Sequence, residues 1–171
     1  MVSKNERQTE EIVRDALRKL DYYQHDNGIT VEEQKSEIAK VKSLLAKASK
    51  NAKGNTGYPE FLISSPKDSA FIIVVECKPD PRKHESPARD KPKDYAVDGV
   101  LHYAQHLSKE YTVVAIAVSG TTSSAAKISN FLVPAGGNEI KSLVNEAGSI
   151  VEEIISFDDS YRLASFDPDV S

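Results

Sequence analysis

Tyr58-Pro59-Glu60-Phe61-Leu62 and Phe71-Ile72-Ile73-Val74-Val75-Glu76-Cys77-Lys78 are the two stretches that decide the fold of this chain. The run over residues 70–75 is apolar throughout, which is typical of a strand buried on both faces. Its last residues include Glu76 and Lys78, which lie two positions apart and therefore point to the same face of a sheet. The sequence thus predicts a carboxylate and an ammonium together at the end of a buried strand.

The segment between these stretches, Pro66-Lys67-Asp68-Ser69, is typical of a tight turn. We therefore expect the two stretches to pair as an antiparallel hairpin. If the turn is centred on its two middle residues, Glu60 lies opposite Val75, within one step of Glu76. The hairpin would thus place two carboxylates side by side at its open end.

Two such carboxylates repel each other unless one is protonated or a cation lies between them. Oxygen ligands of this kind suit Mg²⁺, which binds one or two carboxylates and retains several waters. Lys78 could then orient a water molecule or stabilise developing negative charge. The alternative is that Glu60, Glu76 and Lys78 form an ion-pair cluster at the end of the sheet, which would contribute little to stability.

Pro59-Glu60 and Glu76-Cys77-Lys78 resemble the motif of the PD-(D/E)XK nucleases, with glutamate where the family has its first aspartate. The sequence around these residues is similar to the N-terminal nuclease domains of Type I restriction subunits and of fused, Type IIG-like restriction-modification enzymes. Residues 96–104 resemble the helix that follows the motif in those proteins and often carries Gln-X-X-X-Tyr. Tyr103 matches the tyrosine of that signature, whereas Gly99 stands at the position of its glutamine.

The resemblance implies an α/β protein of the restriction endonuclease-like fold, with a mixed central sheet flanked by helices. It also implies hydrolysis of DNA phosphodiester bonds that depends on Mg²⁺, with Mn²⁺ as a substitute. Glu60, Glu76 and the backbone carbonyl of Cys77 would bind the metal, and Lys78 would act on the attacking water. The implied partners are DNA and the methyltransferase and target-recognition regions of the same chain or complex.

A first helix is predicted from Thr9, as N-cap, to about Leu20, with Val13 and Leu17 on its apolar face. Glu10 shares that face by helical spacing and would point towards the sheet. Because nucleases of the family often place a glutamate of this helix beside the metal, Glu10, or failing it Glu11, is a candidate outer ligand. The alternative is that these acids only stabilise the first turn through the helix dipole.

Basic residues flank the motif in the sequence, and phosphate contacts would have to come from such residues. The alternative is that these basic residues only form solvated surfaces. The net charge of −4 argues against binding DNA by the overall charge of the protein. Tyr103 and Gln105 are further candidates for contacts to phosphate or to Lys78. The predicted nucleic-acid-binding set is Lys50, Lys53, Arg82, Lys83, Tyr103 and Gln105.

Further elements follow from periodicity and from proline and glycine positions. We predict a helix over residues 31–50, an irregular segment over 79–92, a helix capped by Asp94, a strand over 112–118 parallel to the motif strand, a shorter strand over 130–134, and a helix over 139–155. The nuclease-like domain is expected to span residues 1–157. Residues 158–171 lack periodicity and are predicted to be a tail or a linker to a further domain.

Composition is ordinary for one globular domain, because 39% of the 171 residues are hydrophobic and 28% are charged. The lone Cys77 excludes an internal disulfide and favours the reducing cytoplasm. No apolar run is long enough to span a bilayer, so no membrane association is expected. A non-catalytic nuclease-fold module for DNA docking or subunit assembly is the alternative function, favoured by glutamate at position 60 and glycine at position 99.

Overall fold

The computed structural model describes residues 4–48, 57–137 and 139–170. Within these ranges the chain forms one six-stranded sheet in which the strands lie side by side in sequence order. Its strands are β1 (Thr30–Glu33), β2 (Phe61–Ser64), β3 (Phe71–Lys78), β4 (Thr112–Ser119), β5 (Lys127–Val133) and β6 (Lys141–Ser142). The helices that flank it are α1 (Lys4–Lys19), α2 (Ala39–Leu45), α3 (Ala96–Leu107) and α4 (Phe157–Ser165), with short 3₁₀ helices at Pro66–Asp68 and Pro81–Lys83.

The β2–β3 hairpin is antiparallel, as predicted, and its turn is the short 3₁₀ helix. Phe61 lies opposite Val75, which shifts the pairing by one residue from the predicted register. Continuing this register beyond the end of β2 puts Glu60 opposite Glu76 itself. The difference arises because Pro66–Asp68 forms a compact 3₁₀ turn, in which Ser65 accepts the Asp68 N–H, and this moves the centre of the turn.

Strands β3 and β4 are parallel and are joined through α3, which confirms the predicted strand, helix and strand crossover. All the other neighbouring strands are antiparallel, so the sheet is mixed. The predicted α/β architecture, a mixed central sheet flanked by helices, is therefore confirmed and is consistent with a restriction endonuclease-like fold. Burial on both sides explains why β3 and β4 are apolar along nearly their whole length.

Each face of the sheet packs against its own pair of helices. On the α1 face, α1 and α4 cover alternate residues of β3, among them Ile73, Val75 and Cys77. On the α3 face, α2 and α3 cover Ile72 and Val74. Because side chains alternate along a strand, Glu76 belongs to the α3 face, whereas the side chain of Cys77 is 5% exposed in the core of the α1 face.

Two predicted helix starts are wrong. Helix α1 begins at Lys4, and Thr9 lies inside it, where its hydroxyl donates to the Gly120 carbonyl at 2.7 Å instead of capping the helix. Helix α3 begins at Ala96 with Tyr95 as N-cap, so Asp94 is not the capping residue. For Thr9, a contact with the distant Gly120 replaces the predicted cap. For Asp94, the residue takes part in a turn that precedes the helix, in which its N–H donates to the Lys91 carbonyl.

The predicted helix over residues 31–50 is also wrong at its start, because β1 occupies its first residues and, of the described residues 31–48, only those of α2 are helical. The Glu32 carboxylate accepts bonds from the Ser36 hydroxyl at 2.8 Å and the Glu37 N–H at 2.6 Å, which turns the chain between β1 and α2. Pairing of β1 with β2 supplies backbone hydrogen bonds that outweigh the helical propensity of this segment.

The C-terminal predictions need correction as well. Residues 139–155 contain β6 and an irregular hairpin with a bridge between Val144 and Ile150, not a helix. Residues 157–165 form α4, although this part was predicted to be an aperiodic tail. Ser156 caps α4 through its side chain, and Phe157 and Leu163 bury its inner face. In the described parts of the chain, no helix is long and apolar enough to cross a membrane.

Candidate active site

The two carboxylates of the motif lie together at the open end of the β2–β3 hairpin. The Glu60 N–H donates to Glu76 Oε1 at 3.1 Å, so the two residues are in direct contact. Glu76 is 3% exposed, and Glu60 is half-buried just before β2 begins. The structure therefore brings these predicted residues together, because the hairpin register makes them neighbours.

Gln34 holds Glu60 from the opposite side, and sequence reasoning did not identify it. Its backbone N–H donates to the Glu60 carbonyl at 3.1 Å, and its side-chain Nε2 donates to Glu60 Oε2 at 2.7 Å. Gln34 follows β1 directly and has a left-handed backbone, with φ of 57°. Its contact with Glu60 depends on the pairing of β1 with β2, so no local signal in the sequence could have revealed it.

The pKa of Glu60 is raised from 4.5 to about 7. Burial is the main cause, and the negative charge of Glu76 is the second. The hydrogen bond from Gln34 acts in the opposite direction, while the charge of Glu10 raises the pKa further. The surroundings of Glu60 thus destabilise its ionised form. A bound divalent cation would reverse this effect by stabilising the negative charge.

The backbone of Cys77 supplies a further oxygen at the same point. The carbonyls of Ala70, just before β3, and of Lys78, at its end, accept N–H groups from the β4 side, so alternation directs the Cys77 carbonyl towards the β2 side. The residue opposite it in the hairpin register is Pro59, which has no N–H to donate. The Cys77 carbonyl is therefore available as a ligand beside the two carboxylates.

These groups fit a magnesium site in which the protein supplies only a few ligands. The described portions of the chain contain no group of three or more His, Cys, Asp or Glu side chains arranged to hold a metal. Two carboxylates and one carbonyl nevertheless match the small ligand sets with which Mg²⁺ is bound, because the ion keeps several of its waters. A zinc site would require additional nitrogen or sulfur ligands.

Lys78 ends β3 on the same face as Glu76. Its ammonium donates to the Lys93 carbonyl at 2.9 Å, across the segment that leads from β3 to α3. The amine is thus held by a backbone acceptor in the segment that leads from β3 to α3. This partner is 15 residues away in sequence and was not predicted.

Glu10 is buried, with 6% of its surface exposed, and burial raises its pKa while the Arg14 guanidinium partly offsets this effect. Arg14 Nη2 contacts Glu10 Oε1 at 3.1 Å and also pairs with Glu33 at the end of β1. Glu11 is exposed and pairs with Arg14 at 2.9 Å. Because α1 begins at Lys4, Glu10 lies beyond the first turn, so the helix-dipole alternative loses its basis.

Tyr103 lies on the inner side of α3 and is 3% exposed. Burial, together with the charges of Glu76 and Glu60, raises its pKa. A Cβ atom added at Gly57 would lie 2.8 Å from the Tyr103 hydroxyl, so the chain entering β2 passes directly over this side chain. Gln105 is exposed and, two residues further along the helix, points away from Tyr103.

The basic candidates differ in how their charge is used. Lys50 and Lys53 lie outside the described residues. Arg82 is highly exposed, but both its Nε and its Nη2 contact Asp80, at 3.1 and 3.0 Å, which neutralises much of its charge. The Lys83 ammonium lies 5.0 Å from the centre of the Tyr95 ring, and the residue is exposed to solvent.

Comparison with known proteins gives one informative match. Over 108 residues the chain is 34% identical to the "Type II restriction enzyme and methyltransferase RM.BcgI" of Heyndrickxia coagulans. The match covers 56% of this chain but only 16% of that protein. No protein-family model and no solved structure matches the chain. The chain is therefore distantly related, over a short part of its relative, to a restriction-modification enzyme.

Proposed function

We propose that this chain is the Mg²⁺-dependent endonuclease domain of a restriction-modification enzyme, with a PD-(D/E)XK-type site that hydrolyses DNA phosphodiester bonds. The contact of Glu60 with Glu76 at the end of the hairpin carries the proposal. Lys78 follows on the same strand and the same face. The similarity to a restriction enzyme and methyltransferase supports the same assignment.

In this proposal Glu60, Glu76 and the Cys77 carbonyl hold Mg²⁺, which Mn²⁺ can replace. The bound cation would supply Lewis-acid stabilisation of the charge that develops on the scissile phosphate. Lys78 would keep its bond to the Lys93 carbonyl and use another of its three N–H groups to donate to the attacking water or to a phosphate oxygen. Glu10 would provide an outer carboxylate next to this set.

DNA would approach the edge of the sheet where β3 ends. Lys83 and Arg82, in the segment after Lys78, would contact phosphates, as would Lys50, Lys53 and Gln105. Tyr103 is buried, so of its two predicted roles we propose the contact to Lys78 and not the contact to phosphate. Methyltransferase and target-recognition regions, in the same chain or complex, would supply sequence specificity, as the two activities in the name of the relative suggest.

A plasmid cleavage assay tests the proposal with Lys78→Ala against a matched control, Lys109→Ala, which removes an exposed lysine after α3. We expect nicking or linearisation only with Mg²⁺ or Mn²⁺, a loss of about 100-fold or more for Lys78→Ala, and no change for the control. Equal cleavage by the wild type and Lys78→Ala would contradict the proposed site.

Direct metal binding provides an independent measurement. Titration calorimetry with Mn²⁺ should show one binding event in the wild type that Glu76→Gln weakens by about tenfold or more. Glu153→Gln, which changes an exposed glutamate, is the control. Unchanged Mn²⁺ binding in Glu76→Gln would contradict the ligand assignment even if the protein cleaves DNA.

The second candidate function is a non-catalytic module for DNA docking or subunit assembly. It is favoured by the position of Lys78, whose ammonium is engaged by the Lys93 carbonyl. Under this alternative the protein would bind DNA or a methyltransferase subunit without cleaving. Absence of cleavage when the methyltransferase and target-recognition regions are supplied, with DNA binding retained, would favour it.

A further inference from the structure

The segment of residues 79–95, here named the 79–95 loop, connects the end of β3 to α3 and is fastened by a buried carboxylate. Asp98, in the first turn of α3, is 2% exposed. Its Oδ1 accepts the Ser86 N–H at 3.1 Å, and its Oδ2 accepts the Lys91 N–H at 3.0 Å and also the Ser86 hydroxyl. The Asp98 side chain thus binds the loop at two places, Ser86 and Lys91.

His84 provides a second attachment of the same loop. Its Nδ1 contacts the Ser119 hydroxyl at 2.7 Å, and its Nε2 contacts the Ser129 hydroxyl at 2.8 Å, which joins the loop to β4 and β5. The carbonyl of His84 accepts the Val97 N–H at 2.7 Å. Both halves of the loop are therefore fixed to regular elements, although the loop has little regular structure of its own.

A short path leads from Asp98 to the motif lysine. The Lys91 carbonyl accepts the N–H groups of Asp94 and Tyr95, each at 3.1 Å, so residues 91–95 form a compact turn. The carbonyl of Lys93, inside this turn, is the acceptor of Lys78 Nζ at 2.9 Å. The bond from Lys91 to Asp98 at one side of the turn therefore determines where the acceptor of Lys78 lies.

We propose that Asp98 is a positioning residue that sets the location of the Lys78 ammonium by fixing residues 91–95. Its importance for DNA cleavage rests on the proposed function, whereas its control of Lys78 does not. The role requires both oxygens of the carboxylate, because Ser86 and Lys91 donate to different ones. An amide has a single acceptor oxygen, so Asp98→Asn must release one of these two N–H groups in either orientation.

The test compares Asp98→Asn with Asp158→Asn, which removes the same charge from an exposed first-turn position of α4. Acetylation of individual lysines by an N-hydroxysuccinimide ester, followed by mass spectrometry, reports how firmly each amine is held. We expect acetylation of Lys78 to become about fivefold faster in Asp98→Asn, with no change at the exposed Lys109. Asp158→Asn should alter neither rate.

Plasmid cleavage by the same variants gives the functional readout, with DNA affinity measured in parallel. Asp98→Asn should reduce the cleavage rate by about tenfold and leave DNA affinity within about twofold, because the lysine is displaced while the surface is kept. If cleavage falls but Lys78 acetylation matches the wild type, the proposed link is overturned and Asp98 acts only on stability.

Two further outcomes keep the inference separate from the proposed function. If the wild type does not cleave DNA, faster Lys78 acetylation in Asp98→Asn still supports the link, and only the nuclease assignment fails. If Asp98→Asn does not fold, Lys91→Pro removes the N–H that donates to Asp98 Oδ2 and keeps the charge of the carboxylate. We expect about a twofold or greater increase in Lys78 acetylation for Lys91→Pro, and an unchanged rate would overturn the inference.

Discussion

Replacing Glu60 with glutamine should stabilise the metal-free protein at pH 8 while removing a proposed ligand. Burial and the charge of Glu76 raise the pKa of Glu60 from 4.5 to about 7, so the ionised form that predominates at pH 8 is unfavourable in the folded state. Glutamine has nearly the same shape as the protonated acid and carries no charge. Its side-chain oxygen can also accept the existing bond from Gln34.

The expected magnitude follows from proton linkage. A carboxyl whose pKa is higher in the folded protein binds its proton more tightly there, so its contribution is fully present below pH 4.5 and is lost as the pH rises through about 7. Each tenfold difference in proton affinity is worth about 1.4 kcal/mol. Glu60→Gln should therefore raise the free energy of unfolding by about 3 kcal/mol at pH 8 and by about 1 kcal/mol at pH 5.

Unfolding by urea and by heat, in EDTA at pH 5, 6.5 and 8, would measure this effect. At pH 8 we expect Tm to rise by about 6 to 12 °C in a chain of this length. Glu152→Gln, which alters an exposed glutamate, should leave Tm unchanged. The reasoning is refuted if Glu60→Gln and the wild type are equally stable at pH 8, or if the stabilisation is as large at pH 5 as at pH 8.

Three other predictions concern contacts around the site. Gln34→Met removes the amide that contacts Glu60 at 2.7 Å and should weaken Mn²⁺ binding by about threefold to tenfold in calorimetry, whereas the exposed Gln24→Met should have no effect. Gly57→Ala places a methyl group 2.8 Å from the Tyr103 hydroxyl and should cost about 1 to 3 kcal/mol in urea unfolding; a similar cost in a Tyr103→Phe background would contradict this contact. Thr9→Val removes the hydroxyl that donates to the Gly120 carbonyl, directly after β4, at 2.7 Å, so thermal unfolding should show a loss of about 1 to 3 kcal/mol, and an unchanged Tm would show that the bond does not matter.

The hairpin and the crossover could be predicted because their signals are local. The turn residues lie between two apolar stretches that favour strands over helices. The order strand, helix, strand then fixes the handedness of the connection. Glu60 and Glu76 therefore met in the structure nearly as expected, with the register shifted by one residue. The roles of Lys78, Glu10 and the basic residues in catalysis and DNA binding stay predictions.

The errors fall where the local pattern was weak or misleading. Residues 31–50 have helical composition, but their start forms an edge strand because β2 offers it backbone partners. Residues 139–155 have apolar positions at helical spacing, yet they form β6 and an irregular hairpin, with Asn130 donating to the Val151 carbonyl at 3.1 Å. In each case hydrogen bonds between distant parts of the chain decide the conformation.

The sequence by itself determined the buried β3 and β4 strands, the hairpin, and the meeting of two acids at its open end, because turn chemistry and residue alternation act over a few neighbouring positions. Only the tertiary structure decided what holds these groups. Gln34 reaches Glu60 across two strands, and Asp98 reaches Lys78 through the 79–95 loop. Such contacts join residues whose separation in the chain carries no periodic signal, so they arise only when the sheet and its helices bring the segments together.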